Sequence, residues 1–448
     1  MSTLAGTRRR YALGAAAFAV IPIIVALGVL AHLALPGAAL APQDYSASPD
    51  QSDPVRRQLR HPFPPPGAGS RCDLTTGEWR RGTKGFPRYT SLPGKPNSCP
   101  YVRSDFSCER NGRSDMRFQW YRWQPIKCLY TYFSPSGFKY MLKGKKVLLV
   151  GDSMMSNFYE ALLCAIHIGG FKGEPYQRNT AGVFSIKGVH FPRMNISVEH
   201  LFSPYLVYAI TRGTVNGKGG HGYDVHVDKI HPTVAKILPE YAMAVFASGV
   251  WWQQNVPRRK QPNVFFVNNS PKNLSNLDAH AWALNTLSSF IKGTNYGGVP
   301  YFISFSPHHG GAGSPQKGVY QDSAGGTKPS WVGACGAVKP TSEQAALKDY
   351  RLSLPTSEAY MTTQKTALLG SPLRFLQVTS LSAMRPDAHQ GPWFKRRAST
   401  GPGSPSGNGE SPFSGDCTHW CLPGVPDAWV DMMYSSMLLE PSLAGLKK

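Results

Sequence analysis

The sequence predicts an α/β protein, an α/β/α sandwich built on a mainly parallel central sheet. Five short apolar runs recur along the chain, at 146–150, 196–202, 242–248, 300–305 and 373–378. Each is nearly continuous, as strands buried on both faces are. Segments with a helical pattern lie between or after them, at 154–167, 277–291, 341–353, 356–368 and 427–439. Strands alternating with helices imply a sheet covered on both sides. In such a sheet, ligands bind outside the carboxyl ends of the strands.

The chain has 448 residues, enough for a large core. Arg8, Arg9 and Arg10 precede residues 11–35, which carry no charged side chain. Those 25 residues suffice for one tilted spanning helix, since about 20 are needed. The arginines place the 1–10 tail in the cytosol and the remainder in a lumen. The rival reading is a cleaved signal peptide, with Ala39-Leu40-Ala41 as its cleavage site. The apolar run is longer than the usual signal core, which favours a retained anchor. Residues 36–70 include Pro36, Pro42, Pro54, Pro62 and Pro64-Pro65-Pro66, with scattered Ser and Asp. They cannot bury enough apolar surface to fold and read as a stem. Residues 71–130 are rich in Cys, Trp and Gly and need staples or a neighbouring surface. They should wrap on the folded domain at 131–448. A second Pro/Gly/Ser-rich stretch, 396–414, reads as a surface loop or insertion.

All eight cysteines lie beyond the apolar run: Cys72, Cys99, Cys108, Cys128, Cys164, Cys335, Cys417 and Cys421. An even set past an anchor predicts disulfides in an oxidising compartment. Zinc is the competing reading for Cys417 and Cys421, but no second ligand pair has convincing spacing, so no metal is expected. Asn195, Asn268 and Asn273 each head an Asn-x-Ser sequon, which fits a luminal domain with glycans at these sites. The formal net charge is +22. On a nuclear protein that would point to nucleic acid; the anchor and the cysteines argue against it. A polyanionic partner such as an acidic glycan fits better, unless the charge is merely spread over surface and stem.

Two short motifs carry chemistry. Gly151-Asp152-Ser153 follows the strand-like Val147-Leu148-Leu149-Val150, and Ser153 stands at the start of the helix beginning at Met154. A helix N-terminus offers free N–H groups to developing negative charge. The bland reading is an ordinary N-cap serine. Asp416-Cys417-Thr418-His419 supplies a base and an acid that can orient it from one loop. A serine hydroxyl needs such a base to become nucleophilic, and the base needs an orienting group. Either motif alone is weak.

Together with their flanks they resemble the trichome birefringence-like proteins, within the PC-esterase group of SGNH-type enzymes. The resemblance rests on Gly151-Asp152-Ser153 with Asn157, Glu160, Leu162, Leu163 and Cys164, and on the run from Asp416 to Asp427. Further matches are Cys72-Asp73-Leu74, Gly77-Glu78-Trp79, Cys99-Pro100, Asn111-Gly112-Arg113, Arg122-Trp123-Gln124-Pro125, Ser203-Pro204-Tyr205, Ser306-Pro307, and Arg385 with Asp387-Ala388-His389. It covers residues 71–440. It implies an SGNH-like, flavodoxin-type sandwich and a Golgi polysaccharide O-acetyltransferase, single-pass type II with its catalytic domain in the lumen. Ser153, His419 and Asp416 would be the catalytic triad, and acetyl-CoA or another acetyl carrier the co-substrate. No tightly bound cofactor is expected. Two alternatives remain open: a carbohydrate acetylesterase and a non-catalytic polysaccharide-binding protein. By the same resemblance the disulfides pair Cys108 with Cys421, Cys335 with Cys417, Cys72 with Cys128, and Cys99 with Cys164.

The chain also departs from its relatives. The family pattern Asn-Thr-Gly-His-Trp-Trp is here Ala247-Ser248-Gly249-Val250-Trp251-Trp252. Ser156 and Ile303 stand where many relatives carry Arg. If the missing Asn supplied an oxyanion donor, Ser248 or the Gly249 N–H is the replacement, beside Gly151, Asp152 and the Ser153 N–H. Trp251 and Trp252 could stack on sugar faces or pack in the core. Arg385, Asp387 and His389 form either a structural network or part of the cleft. His308 and His309 read as loop residues.

Overall fold

A computed structural model of the chain describes residues 73–439, apart from 83–85, 127, 129, 180–184, 213–221, 254–262, 310–318, 322–326, 330–339, 341–354 and 392–415. In chain order the strands begin with β1 (Gly77–Arg81), β2 (Tyr121–Pro125), β3 (Lys146–Gly151), β4 (Glu174–Asn179), β5 (Ser185–Phe191) and β6 (Ile196–Phe202). They continue with β7 (Val207–Thr211), β8 (Tyr223–Ile230), β9 (Met243–Ala247), β10 (Val264–Val267), β11 (Ser270–Lys272) and β12 (Val299–Ile303). The last are β13 (Val319–Gln321), β14 (Thr327–Pro329), β15 (Arg374–Leu376), β16 (His389–Gly391) and β17 (Asp416–Trp420). The helices are α1 (Pro135–Leu142), α2 (Ser153–His167), α3 (Pro232–Ile237), α4 (Asn276–Gly293), α5 (Pro355–Ala367), α6 (Thr379–Ala383) and α7 (Val425–Leu438).

The five apolar runs become β3, β6, β9, β12 and β15. They form the parallel part of a seven-stranded sheet ordered β15-β12-β9-β3-β6-β5-β4. Numbered by appearance, the parallel strands run 2-1-3-4-5, the flavodoxin-type order. The chain therefore reverses its winding at β3, and the crevice at such a switch lies at the carboxyl end of that strand.

Alternate residues of β3 serve opposite faces. Val147 and Leu149 pack with α2 and α7, where Phe158, Leu162, Val430 and Met433 are buried. Leu148 and Val150 pack with Val234 and Ile237 of α3 and Leu284, Leu287 and Ile291 of α4. Both faces are covered, and hence β3 is apolar from Val147 to Val150. The predicted helices at 154–167, 277–291, 356–368 and 427–439 correspond to α2, α4, α5 and α7; the one at 341–353 lies outside the described residues.

Not foreseen were the antiparallel β4 and β5, which extend the sheet beyond β6, and a second sheet ordered β11-β10-β8-β7. Its inner residues Val225, Val227, Phe265 and Val267 pack against Ala279 and Ala283 of α4.

The segment before residue 131 does pack on the sheet domain. The β1–β2 hairpin sets Trp79 edge-on against Trp123, and the Trp79 indole donates to the Leu381 carbonyl at 2.8 Å. Arg88 grips Asp431 of α7 with two hydrogen bonds of 2.9 and 2.6 Å. Cys99–Cys164 ties the segment to α2, and Cys108–Cys421 ties it to the turn after β17. Both are expected pairs. Cys128 and Cys417 are also disulfide-bonded; their expected partners, Cys72 and Cys335, lie outside the described residues. With Cys421 bonded to Cys108, the zinc alternative falls.

No helix among the described residues is long and apolar enough to cross a membrane. The expected span 11–35, the stem and the 396–414 stretch fall outside them. The sequon residues Asn195, Asn268 and Asn273 are all exposed.

Candidate active site

Ser153 is the first residue of α2, directly past the carboxyl end of β3. It does not cap the helix. Asp152 does, its carboxylate accepting the Met154 N–H at 2.9 Å, so the Ser153 hydroxyl is left for other work. Gly151 is required because a side chain there would run into the Ala247 carbonyl of the neighbouring strand.

The Ser153 hydroxyl lies 2.7 Å from His419 Nε2. His419 Nδ1 lies 2.6 Å from Asp416 Oδ2. The other carboxylate oxygen accepts the backbone N–H groups of Thr418 and His419 at 2.8 and 2.9 Å. One aspartate thus orients the imidazole and closes the loop that carries it. Burial works against a charge on His419, but the Asp416 carboxylate outweighs it and holds the imidazole above its ordinary range. Burial alone would raise the Asp416 carboxyl; His419 and the two backbone donors pull it well below the usual carboxylate range.

Strand β17 is held from four sides. Asn157 of α2 donates to the Trp420 carbonyl at 3.1 Å and accepts its N–H at 3.2 Å. The Trp420 indole donates to Ser306 at 2.9 Å. The His309 N–H donates to the Cys417 carbonyl at 3.1 Å, and His308 Nδ1 bonds the Thr418 hydroxyl at 2.7 Å. On the remaining side Cys108 binds Cys421.

The N-terminal segment forms part of the wall. The Phe106 ring lies 5.8 Å from that of His419, with the Arg103 guanidinium 4.3 Å over Phe106. Arg103 pairs with the buried Glu160 at 2.6 Å. Arg103, Phe106, His308 and His309 went unrecognised as site neighbours in the sequence, since none stands in a motif with the triad residues.

Several expected substrate or oxyanion residues prove structural. The Ser248 hydroxyl donates to the Pro204 carbonyl and accepts from the Trp252 indole, both at 2.7 Å, so it has no hydrogen left for an oxyanion. Trp252 is fully buried, stacked on His280 and Phe265. Arg385 and Asp387 are fully buried as a pair, Nε to Oδ1 at 2.8 Å, and Arg385 also donates to the Phe118 carbonyl at 2.7 Å. His389 is fully buried behind β17, its ring stacked 3.8 Å from that of Trp420. None of these side chains is accessible to a sugar. Gly249 and Trp251 remain at the carboxyl edge. Gly249 lies two residues past β9, whose Ala247 pairs with Gly151; a side chain at Gly249 would strike the Phe305 ring. Trp251 is half-buried, edge-on to Phe202 and Tyr223, each at 5.7 Å.

Three of the departures from the trichome birefringence-like pattern meet in one place. Ala247, Val250 and Ile303 line a hollow together with Asp152, Met154 and Phe305. Burial pushes the Asp152 carboxyl up to about 6.

A half-buried serine–imidazole–carboxylate chain lies at the switch point of a flavodoxin-type sheet, the place where such sheets bind ligands, and it has the arrangement that serine acyl transfer requires. The chain belongs to the PC-esterase family, the GDSL/SGNH-like acyl-esterases found in Pmr5 and Cas1p, whose sequence model matches residues 131–436. The PMR5 N-terminal domain matches residues 70–129. Among similar proteins is trichome birefringence-like 41 of Arabidopsis thaliana, 29% identical over 374 residues, which cover 83% of this chain and 92% of that one. Trichome birefringence-like 4 of the same plant is 27% identical over 383 residues, 82% of this chain and 76% of the relative. Probable xylan O-acetyltransferase 11 of Oryza sativa subsp. japonica is 26% identical over 387 residues, 83% and 88% of the two chains.

Proposed function

We propose that this chain is a polysaccharide O-acetyltransferase working through an acetyl-serine intermediate. The observation that carries the reading is the continuous hydrogen-bonded chain from Ser153 through His419 to Asp416. His419 Nε2 takes the proton of the Ser153 hydroxyl, whose oxygen attacks the donor's acetyl carbonyl carbon. The carrier group leaves with that proton. A sugar hydroxyl then gives its proton to Nε2, its oxygen attacks the acetyl carbon, and the Ser153 oxygen leaves and regains the proton. Asp416 holds the imidazole in the required tautomer throughout. The oxyanion of each step is met by the Ser153 and Gly249 N–H groups. Trp251 and Phe202, the latter paired with Gly151 at the carboxyl edge of the sheet, supply aromatic surface for an acceptor sugar. The acceptor is a cell-wall glycan, an acidic one being favoured by the +22 net charge. The domain works in the Golgi lumen, anchored through residues 11–35, with glycans on Asn195, Asn268 and Asn273.

The family's esterase membership supports a second reading in which water is the acceptor. Incubation with an acetyl donor and cell-wall oligosaccharides separates the readings. Acetylated sugar supports transfer, free acetate alone means hydrolysis, and neither product overturns both.

The pH profile follows from the site's electrostatics. His419 accepts a proton only when neutral, and Asp416 holds it charged above its ordinary range. Activity should therefore rise with pH through a midpoint above about 6.5, the free imidazole value. The sign for stability is opposite. The ion pair is fully present below that value and is lost as pH rises through the folded value. Asp416→Asn should move the activity midpoint to lower pH and reduce the rate; a midpoint unmoved in kcat/KM against pH counts against the pair.

A further inference from the structure

Behind β17, on the side away from Ser153, two histidines form a hydrogen-bonded row. His389 Nδ1 lies 2.9 Å from the His419 carbonyl. His389 Nε2 lies 2.6 Å from His309 Nδ1. His309 Nε2 lies 2.7 Å from the Ala383 carbonyl. A carbonyl oxygen only accepts, so His389 Nδ1 and His309 Nε2 both carry hydrogen. The two nitrogens facing each other cannot both be bare at such a distance, so a hydrogen lies between them. That makes three N–H hydrogens on two rings. Two neutral imidazoles carry one each, so the pair holds one proton in excess.

The charge belongs on His309. His389 is fully buried and stacked on Trp420. Burial, and then the charge on His309, keep it well below the range in which it would protonate itself. His309 is only half-buried. Other charged groups surround the pair. Asp416 favours positive charge here, whereas His308 opposes it. Arg113, from the N-terminal segment, donates to the His389 carbonyl at 3.0 Å, and the Arg385–Asp387 pair lies just upstream of His389.

We propose that His309 is held as an imidazolium and that neutral His389 passes its fixed position to the backbone of His419, which makes the two a positioning pair for the catalytic strand. The row ties four segments together: the loop after β12, the end of α6, the start of β16 and the His419 peptide. With the His309 N–H on the Cys417 carbonyl, it fixes the depth at which His419 meets Ser153. A displacement of about 1 Å at a reacting group can cost 10²-fold in rate. The proposal rests on His419 being the base.

Long-range 15N–1H spectra of the full-length chain, labelled on histidine, test the protonation without reference to activity. At pH 8, above the ordinary imidazole range, His309 should show both ring nitrogens protonated. His389 should show one protonated and one accepting nitrogen. Signals absent in His309→Asn and His389→Asn give the assignment. A wild-type spectrum with no doubly protonated ring besides His419 overturns the proposal even if the variants do not fold. The second arm is kinetic. His389→Leu should lower kcat roughly 10- to 100-fold per folded molecule with KM unchanged. His389→Asn, whose amide nitrogen can replace Nδ1 as donor to the His419 carbonyl, should recover most of it. Equal kcat in the two variants, or a loss confined to KM, also overturns it. A wild-type chain inactive on every donor would instead remove the proposed function and leave the spectral result standing.

Discussion

Ser153→Ala should abolish acyl transfer while leaving the fold in place. The hydroxyl contacts His419, whereas the helix cap is supplied by Asp152, so its removal costs the chemistry and spares α2. Removing the nucleophile of a triad lowers turnover by about 10⁶-fold, because the members act as a unit. In the wild-type chain, withholding acceptor should leave an acetyl group on the peptide bearing Ser153, detectable by mass. The variant should give no such adduct and unfold at the same denaturant concentration. Undiminished turnover in the variant would remove Ser153 from the mechanism.

Arg385→Met should destabilise the protein without altering acceptor binding. Arg385 and Asp387 are both shielded from water, and the guanidinium also lies 4.4 Å over the Trp79 ring. The variant removes the guanidinium that Asp387 pairs with in the interior, and breaking a buried pair from one side costs about 3–5 kcal/mol. Replacing both, with Asp387→Leu added, should restore much of the loss, since a buried pair is worth little more than a well-packed apolar pair. Denaturant unfolding measures the first effect, and KM for the acceptor separates a structural residue from one in the cleft. A loss below about 1 kcal/mol, or a raised KM at equal folded fraction, would return Arg385 to the cleft.

The parallel part of the fold was readable because burial on both faces leaves a mark that position alone reveals: β3, β6, β9, β12 and β15 are apolar runs. Strands with one wet face leave a fainter mark. Along β8, Tyr223–Ile230, the buried Val225 and Val227 stand among half-buried residues that include Asp and Lys; β4 has only half-buried and exposed residues, and β5 mixes buried residues with the exposed Lys187. The link between Asp416 and His419 was legible for a different reason. Asp416 and His419 lie three apart and close their own loop, so their relation is local. The surroundings were not. Arg103 and Phe106 come from one distant stretch and His308 and His309 from another, and only the folded backbone brings them to the site. Ser248 looked available because a polar residue near a motif does so until its partners are known; for Trp252 it is the core alternative that holds.

The strand that carries His419 is made long after the residue it meets. Ser153 and His419 are 266 residues apart, and the bridge that braces His419 joins Cys108 to Cys421 across 313. A growing chain therefore carries Ser153 long before His419 can reach it. Under the proposed mechanism the serine stays chemically silent throughout synthesis, and any product truncated ahead of Asp416 is inert. Under the same mechanism, the turn at Cys421 must be made and brought to Cys108 before the first acetyl group can move.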